Sequence, residues 1–222
     1  YEDTTSVTME DMIRFTTATK NARKNSLIVS DLPINSYQNK EDAIVNSSKL
    51  IQAGADAVKL EGGEEVAKII TAITESGIQV MGHLGLLPQT AEKYTVQGKT
   101  KEDAIRLIKD AKIITESGVF TIVLEMITSE VAKIITEKVT VPTIGIGSGK
   151  DCDGQVLVVH DMLGMFEKIK PKFAKRYLSL SEEIRNAVKS YVTEVKEENF
   201  PSQENEFLME ETEYNKLRKE IV

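Results

Sequence analysis

Apolar residues recur at helical spacing through Met12, Ile13, Phe15 and Ala18, behind Thr8-Met9-Glu10-Asp11, where a hydroxyl residue precedes an acidic first turn. This pattern predicts a helix to about Asn21. Ser26-Leu27-Ile28-Val29-Ser30 is short, rich in β-branched residues and stopped by Asp31-Leu32-Pro33, as a buried strand would be. The same alternation then predicts helix 41–53, strand 57–60, helix 65–75, strand 78–81 and a long loop from His83. Helix 102–116, strand 120–124, helix 130–137 and strand 143–146 follow. Val156-Leu157-Val158-Val159 is a sixth apolar run, too close to the fifth for an ordinary helix between them. The remainder reads as helical over 172–177 and 182–195, with a charged tail.

Strands alternating with helices imply parallel pairing through right-handed crossovers. Six such runs suit either a doubly wound open sheet or most of a (β/α)₈ barrel. Polar residues follow nearly every run: Asp31, Glu61, His83, Glu125, Ser148 and His160-Asp161. A barrel brings all its strand ends to one mouth, whereas an open sheet uses a switch point, so this distribution favours the barrel. The heptapeptide Glu65–Thr71 is repeated letter for letter at Glu130–Thr136, each copy after a strand ending in Leu-Glu. Equivalent structural roles are expected of the two copies, since outer helices of a barrel select such residues. No strand pattern precedes the first helix, so the barrel, assigned to residues 1–200, is expected to be incomplete at its N-terminus. Residues 201–222 form an amphipathic tail, with Phe207, Leu208, Tyr214, Leu217 and Ile221 at helical spacing among charges.

Composition narrows the class. The chain has 222 residues, 41% of them apolar and 28% charged, which suits a folded domain with a sizeable core. No stretch approaches the roughly 18 consecutive apolar residues of a spanning helix, so no membrane partner is expected. Lys and Arg number 28 against 35 Asp and Glu, a net charge of −7 without a segregated basic face, which argues against nucleic acid. A lone cysteine, Cys152, cannot form an internal disulfide, and a reducing cytoplasm is expected.

Gly145-Ile146-Gly147-Ser148-Gly149-Lys150 invites a phosphate-loop reading, but Ile144 and Asp151 stand where that loop needs Gly and a hydroxyl. It reads instead as a close-packing turn. Asn46-Ser47-Ser48 matches a glycosylation sequon inside a helical pattern and is taken as accidental. Three carboxylates, Asp31, Glu61 and Glu125, end apolar strands. Each alone would be read as a cap or as the partner of a lysine such as Lys59. Three converging acids would repel, which a divalent cation or a raised pKa would resolve. No Cys/His cluster has zinc spacing, leaving hard oxygen ligands as the plausible metal donors.

These residues fall within a longer ordered set of motifs. Val58-Lys59-Leu60-Glu61-Gly62-Gly63, Met81-Gly82-His83-Leu84-Gly85-Leu86-Leu87-Pro88-Gln89, Val96-Gln97-Gly98, Leu124-Glu125, Asp153 to Asp161 and Pro171 to Lys175 occur in one order. Over about Thr5 to Phe207 the chain closely resembles the ketopantoate hydroxymethyltransferase family, also called 3-methyl-2-oxobutanoate hydroxymethyltransferase. The resemblance implies a (β/α)₈ TIM barrel of the phosphoenolpyruvate/pyruvate superfamily and the first committed step of pantothenate, hence coenzyme A, biosynthesis. A hydroxymethyl group would pass from methylenetetrahydrofolate to 3-methyl-2-oxobutanoate, giving 2-dehydropantoate, with Mg²⁺ required. It also implies a cytoplasmic homo-oligomer, a decamer in the family.

By the same resemblance Asp31 matches a metal ligand, Glu61 the acid near the metal, Lys59 the substrate-binding lysine, His83 the active-site histidine and Glu125 the general base. The family has two further strands before these motifs, the second ending in a Gly-Asp-Ser metal and substrate motif, and the chain is expected to start after them. The segment between Gln89 and Val96 is shorter than the family's, and Leu87 stands where Thr is usual. The missing motif keeps a catalytically inactive barrel subunit open as an alternative, and among enzymes the runner-up is a Mg²⁺-dependent lyase or aldolase acting on another 2-oxo acid.

Overall fold

A computed structural model describes residues 4–167 and 170–221, which form two compact units meeting in sequence at Leu157 and Val158. In the first unit, α1 (Met9–Ala22) begins with the expected reciprocal cap. The Asp11 N–H donates to the Thr8 hydroxyl, and the Thr8 N–H donates to the Asp11 carboxylate. α2 (Lys40–Ala53) starts at Asn39, whose side chain accepts from the Asp42 N–H, and stops at Gly54 in the left-handed region. α3 (Ala67–Glu75), α4 (Lys101–Glu116) and α5 (Ser129–Lys138) complete the helices of this unit.

Between them run β1 (Val29–Asp31), β2 (Ala57–Glu61), β3 (Gln79–Gly85), β4 (Thr121–Glu125), β5 (Thr143–Ile146) and β6 (Gly154–Gln155). They form one sheet in the order β1-β2-β3-β4-β5-β6, every pair parallel. Each strand lies beside the next in the chain, so among the described residues the winding never reverses and there is no switch point. This is the single winding of a barrel wall rather than a doubly wound sheet. Among the described residues β1 and β6 are its two edges, so the strands make an open arc.

Alternation along the strands sorts the side chains. Val58, Leu60, Val80, Leu84, Ile122 and Leu124 face the helices and join Leu50, Ile70, Leu107 and Ile114 in one buried cluster. Each such side chain removed from water contributes about 1.5–3 kcal/mol. The repeated heptapeptide behaves as expected: Ile70 and Ile135 occupy equivalent places and both are fully buried. The first copy enters its helix through a 3-10 turn at Glu64–Val66, whereas the second lies wholly within α5.

Three expectations are corrected. β3 continues through His83 to Gly85 instead of opening a loop at His83, because paired strands on both sides, with His83 level with Glu61 and Val123, outweigh the low strand preference of its glycines. The sixth strand is Gly154–Gln155, ahead of the apolar run; the Val156 N–H makes a last bond to the Gly145 carbonyl, and Val159–Met162 is a short helix, α6. His160 is therefore helical and exposed, and does not directly follow a strand. Residues 172–177 form turns rather than a helix, with the Arg176 guanidinium bound to the Phe166 carbonyl. The second unit also holds α7 (Leu180–Lys196) and α8 (Glu211–Ile221), neither with a buried residue. No described helix is long and apolar enough to cross a membrane.

The close-packing reading of the Gly-rich turn holds: a Cβ on Gly149 would lie 2.7 Å from the Ser129 Cβ. Gly85 is more constrained still. Its φ is +101°, and the Leu86 N–H donates to the Glu125 carbonyl at 2.8 Å directly beside it. A Cβ there would meet that carbonyl oxygen at 2.1 Å. Gly85→Ala is expected to destabilise the fold by about 2 kcal/mol or more, read as a lower midpoint in urea unfolding.

Candidate active site

The pairing register explains why the polar residues meet. Residues level across parallel strands share a face, and residues two apart along a strand share it again. Asp31 is level with Lys59, Glu61 with His83, and His83 with Val123, two before Glu125. Asp31, Lys59, Glu61, His83 and Glu125 thus all stand on the face turned away from the helices, at the carboxyl ends of β1 to β4.

Their contacts form a chain. The Lys59 ammonium lies 2.8 Å from Asp31 Oδ2 and 3.4 Å from His83 Nδ1. An ammonium only donates, so Nδ1 accepts and the neutral ring carries its proton on Nε2. Nε2 lies 3.1 Å from Glu125 Oε2 but off the hydrogen-bonding direction, and has no hydrogen-bond partner among the described residues. Glu61 Oε1 stands 3.7 Å from Nδ1. His83 and Glu61 are almost wholly buried, while the Asp31 side chain is 43% exposed.

Burial pushes the Glu61 carboxyl above its ordinary 4.5, and nearby Asp31 adds to the shift; His83, the Gln89 N–H and Lys59 oppose it. Tyr37 stands close by, its phenol raised to about 12 by burial first and by the Glu61 charge second. It is therefore a neutral donor, bonding Gln89 Oε1 at 3.1 Å. Three carboxylates face one lysine on this surface, so it carries excess negative charge.

The end of β4 is held firmly. Met126 takes a φ of +49°, with its N–H on the Ile146 carbonyl and its carbonyl accepting from the Gln97 N–H, both at 2.8 Å. Buried Ser148 donates to the Leu124 carbonyl at 2.7 Å and accepts from the Ile127 N–H at 3.1 Å. Ser148 is thereby a structural brace around Glu125.

Every one of the five expected site residues is thus in one place. Sequence reasoning singled out neither Tyr37 nor Gln89 as a functional residue. The only signal for Gln89 was an amide closing the otherwise apolar stretch from Leu84 to Pro88. Among the described residues no three His, Cys, Asp or Glu side chains are grouped to hold a metal. Asp31 and Glu61 nevertheless offer two hard carboxylates on adjacent strand ends, one starved of solvent. That donor set fits Mg²⁺, which takes one or two carboxylates and completes its shell with water and substrate oxygens.

Solved structures share the architecture. A phosphoenolpyruvate phosphomutase from Streptomyces platensis subsp. rosaceus superposes with a TM-score of 0.55 at 12% identity, covering 97% of this chain and 80% of that one. A 2,3-dimethylmalate lyase of the PEP mutase/isocitrate lyase superfamily does so with 0.52 at 14%, covering 99% and 80%. At such low identity these likenesses show the fold alone, that of an α/β protein with an all-parallel sheet. A family model described as ketopantoate hydroxymethyltransferase matches residues 1–203. The 3-methyl-2-oxobutanoate hydroxymethyltransferase of Nitrosopumilus maritimus is 58% identical, over 100% of this chain and 81% of its own length. That of Cenarchaeum symbiosum is 55% identical over 95% and 82%. The chain belongs to the ketopantoate hydroxymethyltransferase family, a family of transferases.

A group whose folded pKa is raised ionises more easily in the unfolded chain. Glu61 therefore leaves the fold most stable below its ordinary 4.5, and this contribution falls as pH climbs from there towards the raised folded value. Glu61→Gln cannot titrate. Without metal, its thermal midpoint is expected to exceed that of the parent at pH 7 and to converge on it near pH 4; equal midpoints throughout would show that burial does not burden this carboxylate.

Proposed function

We propose that this chain transfers a hydroxymethyl group from 5,10-methylenetetrahydrofolate to 3-methyl-2-oxobutanoate, giving 2-dehydropantoate and tetrahydrofolate in the cytoplasm. This is the first committed step of pantothenate and coenzyme A biosynthesis. The observation that carries the reading is the convergence of Asp31, Lys59, Glu61, His83 and Glu125 on one face, with an excess of negative charge that a divalent cation would neutralise.

Asp31 and Glu61 would hold Mg²⁺. When bound, Mg²⁺ supplies Lewis-acid stabilisation of the negative charge that develops on the 2-oxo acid's oxygens. Lys59 offsets the substrate's carboxylate charge. The Nε2–H of His83 donates to a substrate oxygen, a role its free hydrogen-bonding capacity suits. Glu125 takes the C3 proton. Water cleaves the two C–N bonds of the folate's methylene bridge, releasing tetrahydrofolate and a formaldehyde-level carbon that carries the hydroxyl oxygen; the C3–H electron pair bonds to that carbon, and the alkoxide formed takes up the proton that Glu125 removed. Burial of His83 and Glu61 keeps water from competing for these contacts.

The assignment of the base is directly testable. Glu125→Gln is expected to lower turnover by on the order of 10² to 10⁴ while substrate binding stays nearly intact. Deuterium exchange at C3 of 3-methyl-2-oxobutanoate, followed by NMR, should fall with it. Exchange at the parent rate would remove Glu125 from the role.

The protein is further proposed to be a homo-oligomer that buries its terminal helix between subunits. Phe207 and Leu208 ahead of α8, and Tyr214 and Ile221 on it, are all more than half exposed among charged neighbours. Deleting the residues after Phe200 should yield smaller, folded species by sedimentation, and an unchanged mass would overturn the intersubunit role.

A further inference from the structure

Gln89 makes three hydrogen bonds to three different parts of the wall. Its backbone N–H donates to Glu61 Oε2 at 3.1 Å, and its side-chain amide donates to the Leu32 carbonyl at 2.9 Å. Its amide oxygen accepts from the Tyr37 hydroxyl at 3.1 Å. The orientation of the amide is fixed by chemistry, because a backbone carbonyl only accepts and a neutral phenol beside a carboxylate donates. Leu32 directly follows Asp31, and its own N–H is anchored to the Lys59 carbonyl at 2.8 Å.

One nearly buried residue from the loop after β3 thus ties the carboxylate ending β2 to the backbone next to the carboxylate ending β1. The loop is itself braced, with the Thr90 and Ala91 N–H groups donating to the Leu87 carbonyl. Left alone, two like-charged carboxylates on neighbouring strand ends would spread apart. The backbone bond from Gln89 fixes one of them, and the amide fixes the turn that carries the other.

We propose that Gln89 is the positioning residue of the cation site, holding Asp31 and Glu61 at the spacing a divalent ion requires, with Tyr37 locking the amide. It need not touch the ion. Partners of this kind, bonded to ligands rather than to metal, typically set about 10- to 100-fold in metal affinity. The inference rests on the metal reading given above, and the experiment separates the two.

Mn²⁺ serves as the probe, with free ion counted by electron paramagnetic resonance in titrations of the full chain without substrate. Gln89→Glu keeps the backbone N–H and an acceptor for Tyr37 but sets a carboxylate oxygen against the Leu32 carbonyl. It is expected to raise the Mn²⁺ dissociation constant about 10- to 100-fold, and, as a second buried carboxylate, to lower the thermal midpoint while the chain still folds. Tyr37→Phe, which removes only the lock on the amide, should raise it less, and Asp31→Ala should raise it most. If the parent and Asp31→Ala bind Mn²⁺ alike, the metal reading fails and the proposal with it. If Asp31→Ala loses binding while Gln89→Glu and Tyr37→Phe match the parent, the metal reading stands and the role of Gln89 is overturned. Should Gln89→Glu fail to fold, Gln89→Met, isosteric in length and uncharged, replaces it with the same two outcomes.

Discussion

Everything at the site depends on one geometric constraint, that residues level across parallel strands must share a face. Asp31 level with Lys59, and Glu61 level with His83, are consequences of register and not of any attraction between the groups. A slip of one residue in a single strand would send its polar side chain into the helix-facing core and an apolar one outward. Burial of Val58, Leu60, Val80 and Leu124 on the opposite face is what forbids the slip. The hydrophobic layer therefore sets the positions of the charges from the opposite face of the sheet.

The local chemistry of the mouth runs against stability in several places. Glu61 is buried as a carboxylate with its pKa raised, Met126 holds a left-handed backbone, and His83 Nε2 is buried without a hydrogen-bond partner among the described residues. Each is tolerated because the surroundings over-determine it: the Gln89 N–H on Glu61, two backbone bonds on Met126, and Ser148 bracing the strand end on either side of Glu125. Such departures from local preference gather where function is expected.

Much of this was legible in the sequence. Helical periodicity located α1 and α2 within a residue or two, with Thr8 marking the start of α1, and the alternation of strands and helices pointed to parallel winding. Asp31, Glu61, His83 and Glu125 stood out by type and place, and Lys59 through the family resemblance. What periodicity could not show was where pairing overrides local preference. Gly82 and Gly85 looked like a loop around His83, yet neighbouring strands extend β3 across them. Val156 to Val159 looked like a strand, yet the ladder to β5 has already ended. Gln89 and Tyr37 were invisible as a pair because 52 residues separate them, and only the folded wall brings amide and phenol together.

The sequential strand order also bears on how the chain acquires its structure. Each strand finds its partner one crossover away, so no pairing has to wait for a distant segment to be synthesised. A nascent chain can add one strand and helix at a time to the edge already formed, and loop-closure entropy stays small at every addition. A doubly wound sheet of the same length must hold an edge open while the chain returns to it. For a wall of parallel strands, a class otherwise slow to form and prone to aggregate while incomplete, growth by successive neighbours shortens the life of each exposed edge.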